Sequence, residues 1–128
     1  SYNDYELLVK LHEYCKIGSS KDLVRRAINP VPKDVRITKY IIDIYDETIE
    51  SDSRVKIPLW EEILRCKNDE AFEHFFAVRG RFLDDKEKRD LSQTMLAYYP
   101  NTDRAQYLVN NCDFPERLFK VVSLLDNE

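Results

Sequence analysis

The sequence predicts an all-α fold of about eight helices arranged in antiparallel hairpins. In one segment after another, apolar residues recur at the i, i+3 and i+4 spacing of a buried helix face. Capping residues and prolines separate these segments at short intervals. Only two glycines occur in 128 residues, of which 43% are apolar, and this composition disfavours a turn-rich β-sandwich. The length predicts a single domain over residues 1–128.

One predicted helix, from Lys33 to Glu50, is expected to organise the packing of the others. It would have about five turns. Its residues fall on two adjacent apolar sides, one with Ile37, Ile41, Ile44, Tyr45 and Thr48 and the other with Val35, Ile42 and Ile49. We therefore expect neighbours on both sides and only the remaining charged stripe facing water.

Seven further helices are predicted from local start and stop signals, with approximate ranges 3–16, 21–28, 58–66, 69–83, 85–99, 103–110 and 115–125. The predicted buried stripe of the first consists of Leu7, Leu8, Leu11 and Cys15. The predicted core of the 69–83 helix includes Phe72, Phe75, Phe76 and Phe82. Gly80 lies inside that predicted helix, where it either permits close approach of another backbone or marks a fray or kink.

The predicted helices pair into units of roughly thirty residues. The pairs cover 1–29, 32–66, 69–99 and 102–126. The side-chain signatures of tetratricopeptide and ankyrin repeats are absent from them. Their rhythm resembles that of HEAT and armadillo repeats, which predicts an α-solenoid-like stack. A compact irregular helical bundle is the alternative architecture.

The sequence offers little for catalysis. Gly18 and Gly80 are the only glycines, so a Gly-rich phosphate loop is excluded. The pair His12-Glu13 begins a zinc-protease motif, but Lys16 occupies the position of the second histidine ligand. We therefore predict no catalytic residue, no metal site and no cofactor, and expect the protein not to be an enzyme.

Cysteine usage and the apolar pattern predict the compartment. Cys15, Cys66 and Cys112 are odd in number and far apart, which is atypical of a disulfide framework. No apolar run approaches the ~20 residues of a membrane span. An intracellular location, cytoplasmic or nuclear, is expected. Because the chain has no signal peptide and no initiating Met, we also expect it to be a segment of a longer protein.

Charges are distributed in two adjacent blocks. From Lys21 to Lys39 there are six basic and two acidic residues, a balance of +4. From Tyr40 to Ser53 there are five acidic residues and no basic ones, a balance of −5. In the predicted Lys33–Glu50 helix the basic residues come first, which opposes the helix dipole. A locally unfavourable arrangement of this kind can mark a binding surface.

These charges predict a protein–protein interaction module, a helical scaffold or adaptor that binds a partner protein through charged helix surfaces. The predicted contact residues are Arg25, Arg26, Arg36, Lys39, Asp43, Asp46, Glu47 and Glu50. The alternative is that the charged stripe is ordinary solvated surface. Burial of the other side of the helix then offsets the electrostatic cost of its charges. A nucleic-acid-binding domain that uses the Lys21–Lys39 block, or a non-catalytic helical domain of a larger enzyme, is the alternative function.

Overall fold

The structure, a computed structural model, describes residues 4–15, 25–26, 34–45 and 58–126. Within these ranges it contains seven α-helices, one 3-10 turn and no strand, so the all-α prediction is confirmed. The elements are α1 Asp4–Cys15, α2 Val35–Ile44, α3 Leu59–Arg65, α4 Asp69–Arg79, the 3-10 turn Gly80–Phe82, α5 Asp85–Tyr98, α6 Thr102–Asn111 and α7 Glu116–Leu125. Arg25 and Arg26, the described part of the predicted second helix, are helical.

Local capping residues set several of the helix ends. The Asn68 side chain accepts a hydrogen bond from the backbone N–H of Ala71 at the start of α4. Asp84 and Glu87 form a reciprocal capping box at the start of α5. Asn101 caps α6 by accepting from the backbone N–H of Arg104. The predicted starts of these three helices are therefore confirmed within a residue.

Helix α2 is the central part of the predicted Lys33–Glu50 helix, and it is shorter than expected. It ends at Ile44, and Tyr45 has an extended backbone with φ −68° and ψ 130°. The prediction is therefore wrong at Tyr45, whose ring is buried, because tertiary packing there overrides helical periodicity. Residues 46–50 lie outside the described ranges. Burial of both Ile41 and Ile42 confirms that α2 packs on two sides.

The chain divides into two compact units, one extending to Ala71 and one beginning at Phe72. Helix α4 contributes residues to both. The prediction of a single domain, and the choice between a solenoid-like stack and a compact bundle, stay predictions.

In the first unit, α1 packs against α2. The predicted buried stripe of α1 is wrong, because none of its described residues is buried and Leu7 and Leu11 are 51% and 49% exposed. The apolar residues of α3 are buried, namely Leu59, Trp60, Ile63 and Leu64.

In the second unit, α6 and α5 both pack against α7. The buried side chains of this unit include Phe72, Phe75, Phe76, Leu91, Met95, Leu108, Leu118 and Val122. Three of the four predicted core phenylalanines are thus confirmed. The prediction for Phe82 is wrong, because α4 ends at Arg79 and the 3-10 turn that follows leaves this ring 70% exposed.

Gly80 begins that 3-10 turn and lies against the chain after α6. A Cβ atom added at Gly80 would lie 2.6 Å from Cys112 Sγ. The glycine therefore permits the close approach of a buried side chain, where the sequence suggested a backbone. All three cysteines are free thiols, with Cys66 and Cys112 buried and Cys15 exposed.

Candidate interaction surfaces

Arg25 is the predicted contact residue that lies nearest to a buried charge. Its Nη2 atom donates a hydrogen bond of 2.8 Å to Glu62 Oε1. The Glu62 side chain is 2% exposed, and the Arg25 side chain is 42% exposed. A buried carboxylate is costly without a facing cation. Arg25 therefore has a structural role in the first unit, and the neighbouring Arg26 is exposed.

Arg36 is held at the start of α2 by a forked ion pair with Asp34. Its Nε donates to Oδ1 at 3.0 Å and its Nη2 donates to Oδ2 at 2.7 Å. The guanidinium carbon also lies 4.7 Å from the centroid of the Tyr5 ring of α1. The hydrogen bonds from Arg36 lower the pKa of the Asp34 carboxyl below its ordinary value. Arg36 thus links α2 to both its own cap and α1.

An aromatic group reinforces the contact between α1 and α2. The Tyr40 ring meets the rings of Tyr5 and His12 edge-on, with centroids 5.9 Å apart in each case. Burial raises the pKa of the Tyr40 hydroxyl above its ordinary value. His12 therefore contributes to the packing of α1 against α2.

The charged stripe of α2 is partly described. Arg36, Lys39 and Asp43 are exposed and fall at i, i+3 and i+7, so they share one face of the helix. The remaining predicted contact residues, Asp46, Glu47 and Glu50, lie outside the described ranges. The structure therefore brings three of the predicted residues together on α2.

A groove between α5 and α7 of the second unit was not predicted from the sequence. It has a volume of about 290 Å³. Its apolar lining includes Leu96, Leu118 and Val121, and its basic lining consists of Lys88, Arg89 and Arg117. We call it the α5–α7 groove. The only sequence signal was the alternation of basic and apolar residues in two helices, and α6 separates those helices along the chain.

The lining of this groove is positively charged because it contains three basic side chains and, within the described residues, no carboxylate. Asp90 pairs with Lys86 at 2.9 Å, and Glu87 accepts from the backbone N–H of Asp84 in the capping box. Lys88 lies 3.9 Å from the Asp113 carboxylate and 5.9 Å from the centroid of the Phe114 ring. The basic charge that is left lies at the exposed edges, on Arg89 of α5 and Arg117 of α7.

Arg89 and Arg117 have no ion-pair partner among the described residues, and both side chains are exposed. They belong to a chain whose net charge is −4. An exposed pair of uncompensated guanidinium groups beside apolar side chains is suited to recognising carboxylates.

The groove lining offers contacts for binding. Among the described residues that line it, the one hydroxyl group is that of Ser92, which donates to the Lys88 carbonyl oxygen at 2.7 Å. No carboxylate, imidazole or thiol lines it within the same described part of the chain. Across the described ranges as a whole, no three His, Cys, Asp or Glu side chains are grouped closely enough to hold a metal ion.

The helices of the described ranges were also compared with what a membrane span needs. None of them combines sufficient length with sufficient apolar character. Comparison with known protein families, with curated proteins and with solved structures finds no match to this chain.

Proposed function

We propose that this chain is a non-catalytic protein-interaction module, an intracellular scaffold or adaptor segment, whose main contact surface is the α5–α7 groove. The observation that carries the proposal is the combination of an apolar lining with exposed, uncompensated basic edges. Such a surface has both an anchor site and a source of orientation for a partner.

The size of the groove supports a protein partner. Its volume of about 290 Å³ is just below the range of about 300–1,000 Å³ that is usual for small-molecule sites. That volume suits a few apolar side chains projecting from a partner surface. Val121 is 41% exposed, so the apolar lining is accessible from solvent.

The charged stripe of α2 is a second proposed contact region. Arg36, Lys39 and Asp43 are its exposed described members, and Asp46, Glu47 and Glu50 extend it in the sequence. Charge reversal on this stripe is expected to change association with a charged partner more than it changes folding.

Nucleic-acid binding is supported less well. Two arginines of the Lys21–Lys39 block, Arg25 and Arg36, face the carboxylates of Glu62 and Asp34. Their charge is therefore partly neutralised within the first unit, which weakens the attraction to phosphate groups that such binding requires.

A displayed library of random peptides tests the proposal on the full chain. We expect selected peptides to bind the wild-type protein and to bind Val121→Glu at least about tenfold more weakly, a change of about 1.4 kcal/mol. The substitution places a carboxylate in the apolar lining. Leu124→Glu is the matched control, because Leu124 is on the same helix, is more exposed and does not line the groove.

Circular dichroism checks that both variants keep their helices. Selection of no peptide, or of peptides that bind Val121→Glu and Leu124→Glu equally well, would overturn the proposal.

A further inference from the structure

We infer that the α5–α7 groove binds an acidic amphipathic helix of a partner protein, whose apolar side chains enter the groove while its carboxylates face Arg89 and Arg117. The inference rests on the proposed function and names the chemistry of the partner.

The charges at the edges of the groove are complementary to those of an acidic ligand. Arg89 and Arg117 are contributed by different helices, so one guanidinium lies on each of the two elements that form the groove. Asp90 and Glu87, the carboxylates nearest to Arg89 in sequence on α5, contact Lys86 and the α5 cap, and none of the ion pairs among the described residues involves Arg89. A ligand with carboxylates on both flanks of an apolar stripe satisfies both arginines at once.

The apolar lining of the groove comes from both of the helices that form it. Leu96 comes from α5, and Leu118 and Val121 come from α7. A groove between two packed helices is a common receptor for a third helix, which inserts apolar side chains spaced at i, i+3 or i+4, and i+7. A helix also presents its flanking positions toward both walls, which an extended strand with alternating side chains does less well.

The side chains that line the groove suit an acidic helix better than a nucleic acid. Single-stranded nucleic acids are held by aromatic rings on which the bases stack, in addition to basic side chains. Within the described residues, the groove lining contains no aromatic ring. Aliphatic side chains between guanidinium groups match the alternation of Leu and Glu on an amphipathic helix more closely.

Two designed peptides test the inference by fluorescence anisotropy with the full chain. Both are helix-forming and carry leucines at the same i, i+3 and i+7 positions, and they differ in having Glu or Lys at every flanking position. We expect the Glu peptide to bind at least about tenfold more tightly than the Lys peptide, with an affinity that falls as salt is raised.

The double variant Arg89→Glu/Arg117→Glu should reverse the preference between the two peptides. The matched control is Arg81→Glu/Lys120→Glu, which changes the net charge equally, on exposed side chains of the second unit that do not line the groove. Retention of the Glu-peptide preference in this control shows that the preference is local to the groove edges.

The outcomes distinguish the inference from the proposed function. Equal binding of the two peptides would contradict the inference of an acidic helix. Library peptides that require Val121 but are neutral or basic would contradict it too. Neither result would contradict the proposed interaction module. Failure of every library peptide to bind overturns both. Dimerisation in sedimentation equilibrium that Arg89→Glu/Arg117→Glu abolishes would assign the groove to a second copy, and competition by a single-stranded oligonucleotide would assign it to nucleic acid. Either result overturns the inference.

Discussion

At the scale of single residues, the ion pair with Glu62 gives Arg25 a role that the next residue, Arg26, does not share. Glu62 is buried and Arg25 supplies the cation that faces it, at 2.8 Å. Arg26 is exposed. The same residue type thus has a structural role at one position and remains available to a partner at the next.

Replacing Arg25 by Met is expected to lower the free energy of unfolding by about 1–3 kcal/mol, because the Glu62 carboxylate stays buried without its cation. The value is below the 3–5 kcal/mol typical of a fully buried pair, since the Arg25 side chain is 42% exposed. Urea denaturation followed by circular dichroism measures the change.

Arg26→Met is the control for this substitution and should stay within about 0.5 kcal/mol of wild type, as is usual on the surface. Equal stability of the two variants would contradict a structural role for Arg25. If the expected difference is found, a loss of partner binding on changing Arg25 must be corrected for unfolding, whereas Arg26 tests the surface directly.

At the scale of elements, the junction after α4 depends on the small size of Gly80. The segment that follows α6 places Cys112 Sγ where a Cβ atom of residue 80 would lie, at 2.6 Å. Cys112 is itself buried, and its thiol lies 3.7 Å from the Phe76 carbonyl oxygen. The sulfur therefore has little room to retreat.

Gly80→Ala is expected to destabilise the protein by about 1–3 kcal/mol through overpacking, despite the better helical propensity of alanine. Thermal unfolding of Gly80→Ala, Cys112→Ala and the double variant checks the cause. Removing the sulfur should make the glycine substitution less costly, giving a coupling of about 1 kcal/mol between the two sites. Strictly additive effects would show that the contact with Cys112 does not limit residue 80.

Much of the secondary structure could be predicted because its determinants are local. Asn68, Asp84 and Asn101 begin helices through their own side chains, and each signal lies within a few residues of the helix it starts. The sequence does not predict the end of α2 at Ile44. The helix ends there because Tyr45 packs into the core with an extended backbone, and local periodicity does not contain that tertiary contact. The buried position of Glu62 was missed for the same reason, since it depends on Arg25, which is distant in sequence.

The candidate site was harder to predict than the helices. Arg89 and Arg117 belong to helices that are separated by α6, and only packing brings them to one groove. Sequence periodicity identifies which face of each helix is apolar, but it does not state which helix lies beside it. The charge pattern therefore predicts a contact surface on α2, where the charged residues lie within one short stretch of the sequence.

At the scale of the whole molecule, the three cysteines lie in different parts of the chain and differ in burial. Cys15 is exposed on α1, Cys66 is buried in the first unit and Cys112 is buried in the second. Burial raises the pKa of the Cys112 thiol, an effect that nearby Lys88 partly opposes. The reactive thiolate is therefore disfavoured at Cys112 in the folded protein.

Timed alkylation with N-ethylmaleimide is expected to label Cys15 at least about a hundredfold faster than Cys66 and Cys112 in the native state, because buried thiols react only after opening. Mass spectrometry of the proteolytic peptides measures each site. In rising urea, Cys66 and Cys112 should become reactive at the same concentration if residues 1–128 form one cooperative domain. Separate midpoints would contradict the single-domain prediction.

The boundary between the two units lies inside α4, whose Asn68 cap belongs to the first unit and whose phenylalanines belong to the second. Truncating the chain at this boundary would therefore damage the helix. A fragment starting at Phe72 would lose the first turn of the helix together with its cap, and the helix would begin with unsatisfied N–H groups. A fragment that retains Asn68 keeps both. A fragment that contains both the α5–α7 groove and an intact α4 therefore includes residues that belong to the other unit.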